Sequence, residues 1–265
     1  MSEFLLCLNT STIQPTPLLK KIEVASKAGF QAIEPWNDEI DDYLRDGGSM
    51  RELRSAIGDS GLKVVSAIAL FDWIDPSQAA RDECRRRMEQ AAMLESPYIV
   101  ASPPQEVVNL DHAAKAYGAL IALGRKFEIR PAMEFLGFVS GVKSMAAAWA
   151  IAGGSGDADA TVVGDVFHML RGGSTVDDLL MISGDRMAIF HVNDLPVEIP
   201  VTAQTDHDRV MPGQGIADLP RVIANLRAIG YSGPISLELF NKQLWDEDPL
   251  EVAKTGIERL KSLVG

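Results

Sequence analysis

The sequence has little of several features that mark whole classes of protein. Its two cysteines, Cys7 and Cys84, are too few for a disulfide framework, and each lies in an apolar or helical stretch that favours a buried thiol. The longest apolar run, residues 145–152, is far shorter than the roughly 20 residues that span a bilayer. Positive charge is also scarce, because 25 Lys and Arg stand against 37 Asp and Glu, a net charge of −12. We therefore expect a cytoplasmic protein whose main partner is neither a membrane nor a nucleic acid.

The sequence also lacks GxGxxG, P-loop and GxSxG motifs, which leaves an open doubly wound sheet as the less favoured fold. Eight short Val- and Ile-rich runs alternate with eight helical stretches, and eight parallel strands are the number that closes a barrel. The prediction is a single-domain α/β protein, a (β/α)8 TIM barrel over residues 1–265. The predicted strands are residues 4–8, 32–34, 63–69, 98–101, 130–135, 161–165, 187–192 and 234–240.

Local signals set some of the boundaries of these elements. Two Asp-Pro pairs, at 75–76 and 248–249, predict helix starts. Glycines predict left-handed helix stops at Gly29, Gly61, Gly184 and Gly230. Long connections, residues 35–49 and 195–217, follow strands and not helices. In a barrel of this kind the loops after strands build the pocket.

Polar side chains end four consecutive predicted strands. In the last strand, alternation turns Ser236 and Glu238 into the barrel, where a carboxylate is costly unless a cation or partner offsets it. Taken singly, such an Asp often caps a helix and such a His is often a hydrogen-bonded core residue. Together, three carboxylates and an imidazole suit Mn²⁺, Zn²⁺, Co²⁺ or Fe²⁺. The predicted ligands of one divalent ion are Glu134, Asp165, His191 and Glu238.

Other residues near the same strand ends are candidates for contact with a substrate. His168 follows Asp165 by three residues, and Arg209 lies in a loop that a Pro-Gly-x-Gly run would turn tightly. Either residue could equally be an ordinary loop side chain. Trp36 and Phe71, with Trp73, follow the second and third strands and could wall the pocket or pack in the core.

The sequence resembles the sugar isomerase/epimerase family with the xylose-isomerase-like TIM barrel, and within it is most similar to inosose (2-keto-myo-inositol) isomerases. This resemblance implies metal ligands at the four residues above, substrate contacts at His168 and Arg209, and a dimer or tetramer. Two departures, Gly164 and Met211, are expected to alter the shape of the pocket. The motifs that carry the likeness are AMEFLG (132–137), GDVFH (164–168), FHVND (190–194), DRVMPGQG (208–215) and SLELFN (236–241).

The chemistry that these residues suggest is proton transfer beside a carbonyl, through a metal-bound cis-enediolate. Glu134 and Glu238 would be the catalytic carboxylates, and the substrate would be a keto-sugar or keto-inositol. Elimination of the inosose dehydratase type and a non-catalytic, metal-stabilised sugar-binding barrel are the alternatives. Apurinic-site endonucleases share the fold but need a three-metal cluster with several additional histidines, and this sequence has only four histidines.

Overall fold

The computed structural model describes residues 4–265, so the first three residues of the predicted domain lie outside the described part. One sheet of nine parallel strands forms its centre. The strands are β1 (Leu5–Asn9), β2 (Ala32–Glu34), β3 (Lys63–Val64), β4 (Ala67–Leu70), β5 (Tyr98–Ala101), β6 (Arg130–Met133), β7 (Thr161–Asp165), β8 (Met187–Val192) and β9 (Pro234–Leu237). Across the sheet they follow the order β3-β2-β1-β9-β8-β7-β6-β5-β4.

Helices surround this sheet and cover its outer face. Within residues 4–265 they are α1 (Leu18–Ala28), α2 (Asn37–Arg45), α3 (Met50–Asp59), α4 (Gln78–Met93), α5 (Leu110–Gly124), α6 (Met145–Gly154), α7 (Val166–Arg171), α8 (Leu219–Ala228), α9 (Lys242–Trp245) and α10 (Pro249–Val264). Helix α10 shows why such segments fold as helices: it buries Val252, Ile257 and Leu260 along one stripe. No helix in the described part is both long and apolar enough to cross a membrane.

The predicted barrel is confirmed, with its third strand divided in two. The backbone N–H of Lys63 donates to the carbonyl of residue 31 at 3.1 Å, and that of Val65 donates to the carbonyl of residue 33 at 3.4 Å. The next hydrogen bond of this ladder runs from the N–H of Ile68 to the carbonyl of Pro35, just beyond β2, at 3.1 Å. The partner advances by two residues while this strand advances by three, so one extra residue interrupts the ladder. A parallel bridge between Trp36 and Ile68 then closes the cylinder.

The structure corrects one predicted helix start and one predicted connection, for local reasons. Helix α10 starts at Asp248–Pro249 as predicted, but α4 starts at residue 78 because the Ser77 side chain caps it, accepting from Ala80 N at 3.2 Å. Asp75 instead accepts from the backbone N–H of Ser77 in the preceding turn. The connection 35–49 is also no simple loop, since most of it forms α2.

Three of the four predicted glycine stops are confirmed, at Gly29, Gly61 and Gly230, with φ of 95°, 72° and 75°. Gly184 is the exception, because it begins a 3-10 helix and adopts no left-handed conformation. A Cβ at Gly184 would lie 2.4 Å from the backbone nitrogen of Tyr231. Close approach of two chain segments, and not a helix stop, therefore accounts for this glycine.

The barrel has a different composition inside and outside. Large apolar side chains fill the layer between strands and helices, and Gly164 belongs to this outer layer: a Cβ there would lie 2.5 Å from the Phe190 ring. Gly164 and the buried Met211 do not line the cavity described below, so the expectation that they shape the pocket is wrong. Smaller side chains fill the interior beneath the polar strand ends, namely Cys7, Ala32, Val65, Ile68, Ala69, Val100, Ala132, Val163, Ala188 and Ile189.

Candidate metal centre and active site

The carboxyl ends of β6 to β9 bring buried polar side chains to one end of the barrel. Asp165 and His191 are fully buried, and Glu238 and Glu134 are only 3% and 8% exposed. One ligand atom from each of Asp165, His191 and Glu238 lies within 4.8 Å of the others, a spacing that suits a single cation. Glu134 is not part of this group of ligand atoms.

The imidazole of His191 is the centre of the group. Its Nδ1 lies 3.2 Å from Glu238 Oε2 and 3.8 Å from Asp165 Oδ2, yet within the described residues it makes no hydrogen bond. Burial favours the neutral ring, but the carboxylates of Glu238 and Glu34 outweigh it and raise the pKa of His191 well above its usual range. Carboxylate oxygens around an imidazole nitrogen that makes no hydrogen bond are a donor set that fits a divalent metal.

Asp165 has two functions at once. Its Oδ1 caps α7 by accepting from the backbone N–H of His168 at 2.7 Å. Its Oδ2 faces the cluster and accepts from Asn193 Nδ2 at 3.1 Å and Arg209 Nη1 at 3.0 Å. The helix-capping interpretation and the ligand interpretation of this residue are therefore compatible.

The two glutamates have opposite surroundings. Glu238 accepts hydrogen bonds from Asn9 Nδ2 at 3.0 Å and Arg209 Nη1 at 2.7 Å. Burial opposes its ionisation, but His191 and Arg209 hold the pKa of Glu238 well below its usual range. Glu134 lines the cavity beside them, and burial together with the charge of Glu238 raises its pKa well above the usual range. Such a separation of pKa values is typical of an acid and base pair.

Arg209 is buried at the cluster, with 1% of its side chain exposed. Besides Asp165 and Glu238, its guanidinium contacts Asp206 Oδ1 at 2.6 Å and donates to His168 Nε2 at 2.9 Å. It also lies over the ring of Phe167, 4.8 Å from the centroid. A cation held on so many sides is fixed in orientation and offsets part of the negative charge of the carboxylates.

The loop that carries Arg209 is anchored by Asp194. The backbones of Asp194 and Val210 exchange two hydrogen bonds of 3.0 Å. As the Pro-Gly-x-Gly run predicts, a turn follows, closed by Gln214 N and Met211 O at 3.0 Å with Gly213 at φ 82°. The carboxylate of Asp194 accepts the backbone N–H groups of residues 195, 213, 215 and 217.

A cavity of about 210 Å³ opens onto this cluster. It is smaller than the ~300–1,000 Å³ typical of drug-sized ligands, so it suits a small molecule. Its lining includes the predicted substrate residues Trp36, Phe71, His168 and Arg209 together with Glu134, Glu238, Ile68, Ala69, Ser102, Gln105, Leu136, Phe138, Asp206 and Phe240.

Trp73 does not reach this cavity. It is buried, donates to Ser102 O at 2.7 Å and packs edge-on against Tyr117, so the core-packing alternative holds for it. Two larger cavities, of about 570 and 520 Å³, lie at the amino-terminal end of the barrel and between α4 and α5. Neither contains any residue of the cluster, so we place the candidate site at the smaller one.

Several polar residues of this end of the barrel are missing from the sequence prediction, among them Asn9, Glu34 and Asp206. Glu34 is fully buried and lies 3.1 Å from His191 Nε2, on the side opposite the cluster. Asn9 bonds to both Glu34 and Glu238. A signal exists for the first two, because each is the last residue of a strand and they lie side by side in the register of β1 and β2.

Fold and site together define a parallel (β/α)8 barrel whose strand ends carry a cluster of side chains that could bind a metal ion. The sequence profile of the family described as xylose isomerase-like TIM barrel matches residues 22–263. The chain belongs to this family.

Individual relatives agree in fold and differ in their reactions. The chain is 28% identical over 263 residues to an inosose isomerase of Halalkalibacterium halodurans, covering 94% of this chain and 93% of that one. It is 26% identical over 236 residues to a 3-dehydroshikimate dehydratase of Pseudomonas putida, covering 84% of this chain but 36% of that longer protein. A crystal structure of an IOLI protein with a bound zinc atom superposes with a TM-score of 0.91 at 25% identity, covering 100% and 98% of the two chains.

Proposed function

We propose that this chain is a divalent-metal-dependent isomerase or epimerase that moves a proton beside the carbonyl of a keto-polyol, acting in the cytoplasm. The observation that carries the proposal is the cluster of Asp165, His191 and Glu238 with Glu134 at the same small cavity. The inosose isomerase relatives make an inosose the first substrate to test. Since Asn9 and Glu238 meet across 229 residues of sequence, we also propose that the whole chain, residues 1–265, acts as one domain.

Asp165, His191 and Glu238 would hold the metal, with Glu134 as the fourth ligand. The first three of these ligands are supported by the spacing of their atoms and by Nδ1 of His191, which lies beside two carboxylates and makes no hydrogen bond within the described residues. Bound Mn²⁺, Zn²⁺, Co²⁺ or Fe²⁺ would polarise a ketone and its neighbouring hydroxyl, which makes the C–H between them more acidic.

Glu134 and Glu238 would move the protons. Burial and the charge of Glu238 raise the pKa of Glu134, which favours its protonated form and suits a proton donor. Glu238 is fixed in place by Asn9 and Arg209. In an epimerase, one carboxylate would remove the carbon proton and the other, in its protonated form, would deliver one to the opposite face of the same carbon. In an isomerase, the carbon proton would be returned to the former carbonyl carbon while the hydroxyl proton is relayed from one oxygen to the other.

Arg209 would stabilise the enediolate that forms when the proton leaves, and His168 would help to hold Arg209 beside the substrate oxygen. Both line the cavity, and they contact each other at 2.9 Å. Burial lowers the pKa of His168, so its ring is neutral and accepts from Arg209. Trp36 and Phe71 would bind the apolar side of the polyol ring.

Deuterium exchange tests this proposal. The protein is incubated in deuterated buffer with Mn²⁺ or Co²⁺ and a panel of inososes, ketohexoses, ketopentoses and hydroxypyruvate, and proton NMR follows the α-proton. Glu134→Gln and Glu238→Gln should each slow exchange by roughly 10²–10⁴-fold, the usual contribution of a general acid or base. Glu106→Gln, an exposed acid on a neighbouring loop, is the matched control and should exchange like wild type.

Near-wild-type exchange in both glutamine variants would exclude the paired-carboxylate mechanism. Tight ligand binding by the wild type without any exchange would instead favour the non-catalytic binding barrel.

Elimination is the second candidate reaction, because a 3-dehydroshikimate dehydratase is among the relatives. It begins with the same proton removal and then expels a β-hydroxyl. Product analysis in the same NMR assay separates the two: an isomer keeps all its hydroxyl-bearing carbons, whereas a dehydrated product shows new enone signals.

A further inference from the structure

Glu34 occupies a position directly behind the His191 ring. Both residues are fully buried, and the Glu34 carboxylate oxygens lie 3.1 and 3.3 Å from His191 Nε2. A carboxylate oxygen accepts hydrogen bonds, so Nε2 must carry the proton of this contact. A cation would therefore bind the opposite nitrogen, Nδ1, in place of its proton, on the side that faces Asp165 and Glu238.

The hydrogen-bond partners of Glu34 keep it in this position. Its Oε2 accepts from Asn9 Nδ2 at 3.0 Å and from Ser236 Oγ at 2.9 Å. The same Asn9 amide group donates to Glu238 Oε1 at 3.0 Å. One side-chain amide therefore links the carboxylate behind the imidazole to a carboxylate in front of it.

We propose that Glu34 is a positioning residue for the divalent cation, acting through the tautomer and orientation of His191. The inference rests on the proposed metal site and adds to it a residue that touches neither metal nor substrate. Histidine ligands commonly donate their second ring N–H to a carboxylate, and loss of such a partner costs roughly 10- to 100-fold in metal affinity.

The experiment measures zinc affinity and not activity. Purified wild type and Glu34→Gln are titrated with Zn²⁺ against a chelating dye. We expect roughly 10- to 100-fold weaker binding by Glu34→Gln. Asp38→Asn removes the same single charge from an exposed side chain four residues away, and its affinity should equal that of wild type.

Histidine NMR provides a second readout that does not depend on the folding of the variant. The chain has four histidines, so ¹⁵N-histidine labelling gives a simple spectrum that single His→Gln variants assign. In wild type saturated with Zn²⁺, His191 should show a protonated Nε2 and a metal-shifted Nδ1. A protonated Nδ1 with zinc on Nε2 would overturn the proposal.

The Zn²⁺ titrations distinguish failure of the proposed metal centre from failure of the proposed role of Glu34. If wild type binds no Zn²⁺ at this site, the proposed metal centre falls and the role of Glu34 falls with it. If wild type binds Zn²⁺ and Glu34→Gln binds it equally well, only the role of Glu34 is overturned.

Discussion

A single side chain, Asp194, organises the loop on which Arg209 lies. Its carboxylate is fully buried and accepts four backbone N–H groups at 2.8 to 3.0 Å. An ionised carboxylate has enough lone pairs to accept all four, whereas an amide has one accepting oxygen. The role of Asp194 in the loop therefore depends on the charge of its side chain and on the number of hydrogen bonds it accepts, more than on its shape.

Asp194→Asn should lower the free energy of unfolding by about 1–3 kcal/mol, because it leaves buried N–H donors unsatisfied. Urea unfolding followed by circular dichroism measures the change. Glu198→Gln, an exposed acid in the same connection, is the control and should stay within about 0.5 kcal/mol of wild type. An equally small change for Asp194→Asn would show that the loop does not depend on this carboxylate.

The sequence predicts part of the site at the level of single residues. The polar end of a strand identifies Asp165 and Glu238, and the same rule applied to β2 selects Glu34. The sequence does not reveal which strand ends face one another. The contact of Glu34 with His191 joins residues 157 positions apart and exists only once the barrel has closed.

At the scale of elements, an ion-pair network joins α2 to α4. Arg86 binds Asp41 through two hydrogen bonds, of 2.6 and 2.8 Å, and Glu83 at 2.6 Å. Glu83 also accepts from Arg87, whose Nη1 donates to the carbonyl of Ala69 at 2.9 Å. The network therefore reaches the strand that forms one wall of the cavity.

The network predicts a pH-dependent contribution to stability. Hydrogen bonds from Arg86 lower the pKa of Glu83 from 4.5 to about 2. Because the pKa is lower in the folded chain, the contribution is complete above about pH 4.5 and is lost as the pH falls towards 2. Since Glu83 is 43% exposed, solvent screening limits the contribution to at most about 1 kcal/mol.

Urea unfolding of wild type and Glu83→Gln between pH 7 and pH 2.5 tests this prediction. The difference in free energy of unfolding should shrink as the pH falls and also as salt rises. Glu89→Gln, exposed on the same helix, should show no such trend. A difference that stays constant over the whole pH range would contradict the ionic origin of the contribution.

Elements with strong periodicity are well predicted from the sequence, and those set by tertiary geometry are not. The start of α10 is predicted correctly from Asp248 and Pro249, whereas the same pair at 75–76 does not mark the start of α4. The interruption between β3 and β4 depends on how the strand fits its neighbours around the barrel, which no local pattern records. For the same reason, the sequence prediction treats residues 35–49 as a long loop and misses α2, which lies within them.

At the scale of the whole molecule, the proposed cation would connect strands from distant parts of the chain. Such a site exists only in the folded state, so cation binding should stabilise the fold by mass action. At a free concentration 100-fold above Kd the gain is about 2.7 kcal/mol, which corresponds to a rise in Tm of roughly 5–10 °C.

Thermal unfolding with EDTA and with rising Mn²⁺ or Zn²⁺ measures this gain. In a His191→Gln variant the dependence on cation concentration should largely disappear. An unchanged Tm in the wild type from chelator to excess cation would contradict a cation bound by the folded chain.

Trp36 combines two functions that an enzyme engineer would prefer to keep apart. Its backbone forms the bridge that closes the cylinder, and its side chain walls the cavity and donates to Asn9 at 3.0 Å. Phe71 and Phe138 line the same cavity but are 44% and 40% exposed. Redesign for a bulkier substrate should therefore begin at these two rings, because a substitution at Trp36 would disturb the closure of the barrel together with its substrate range.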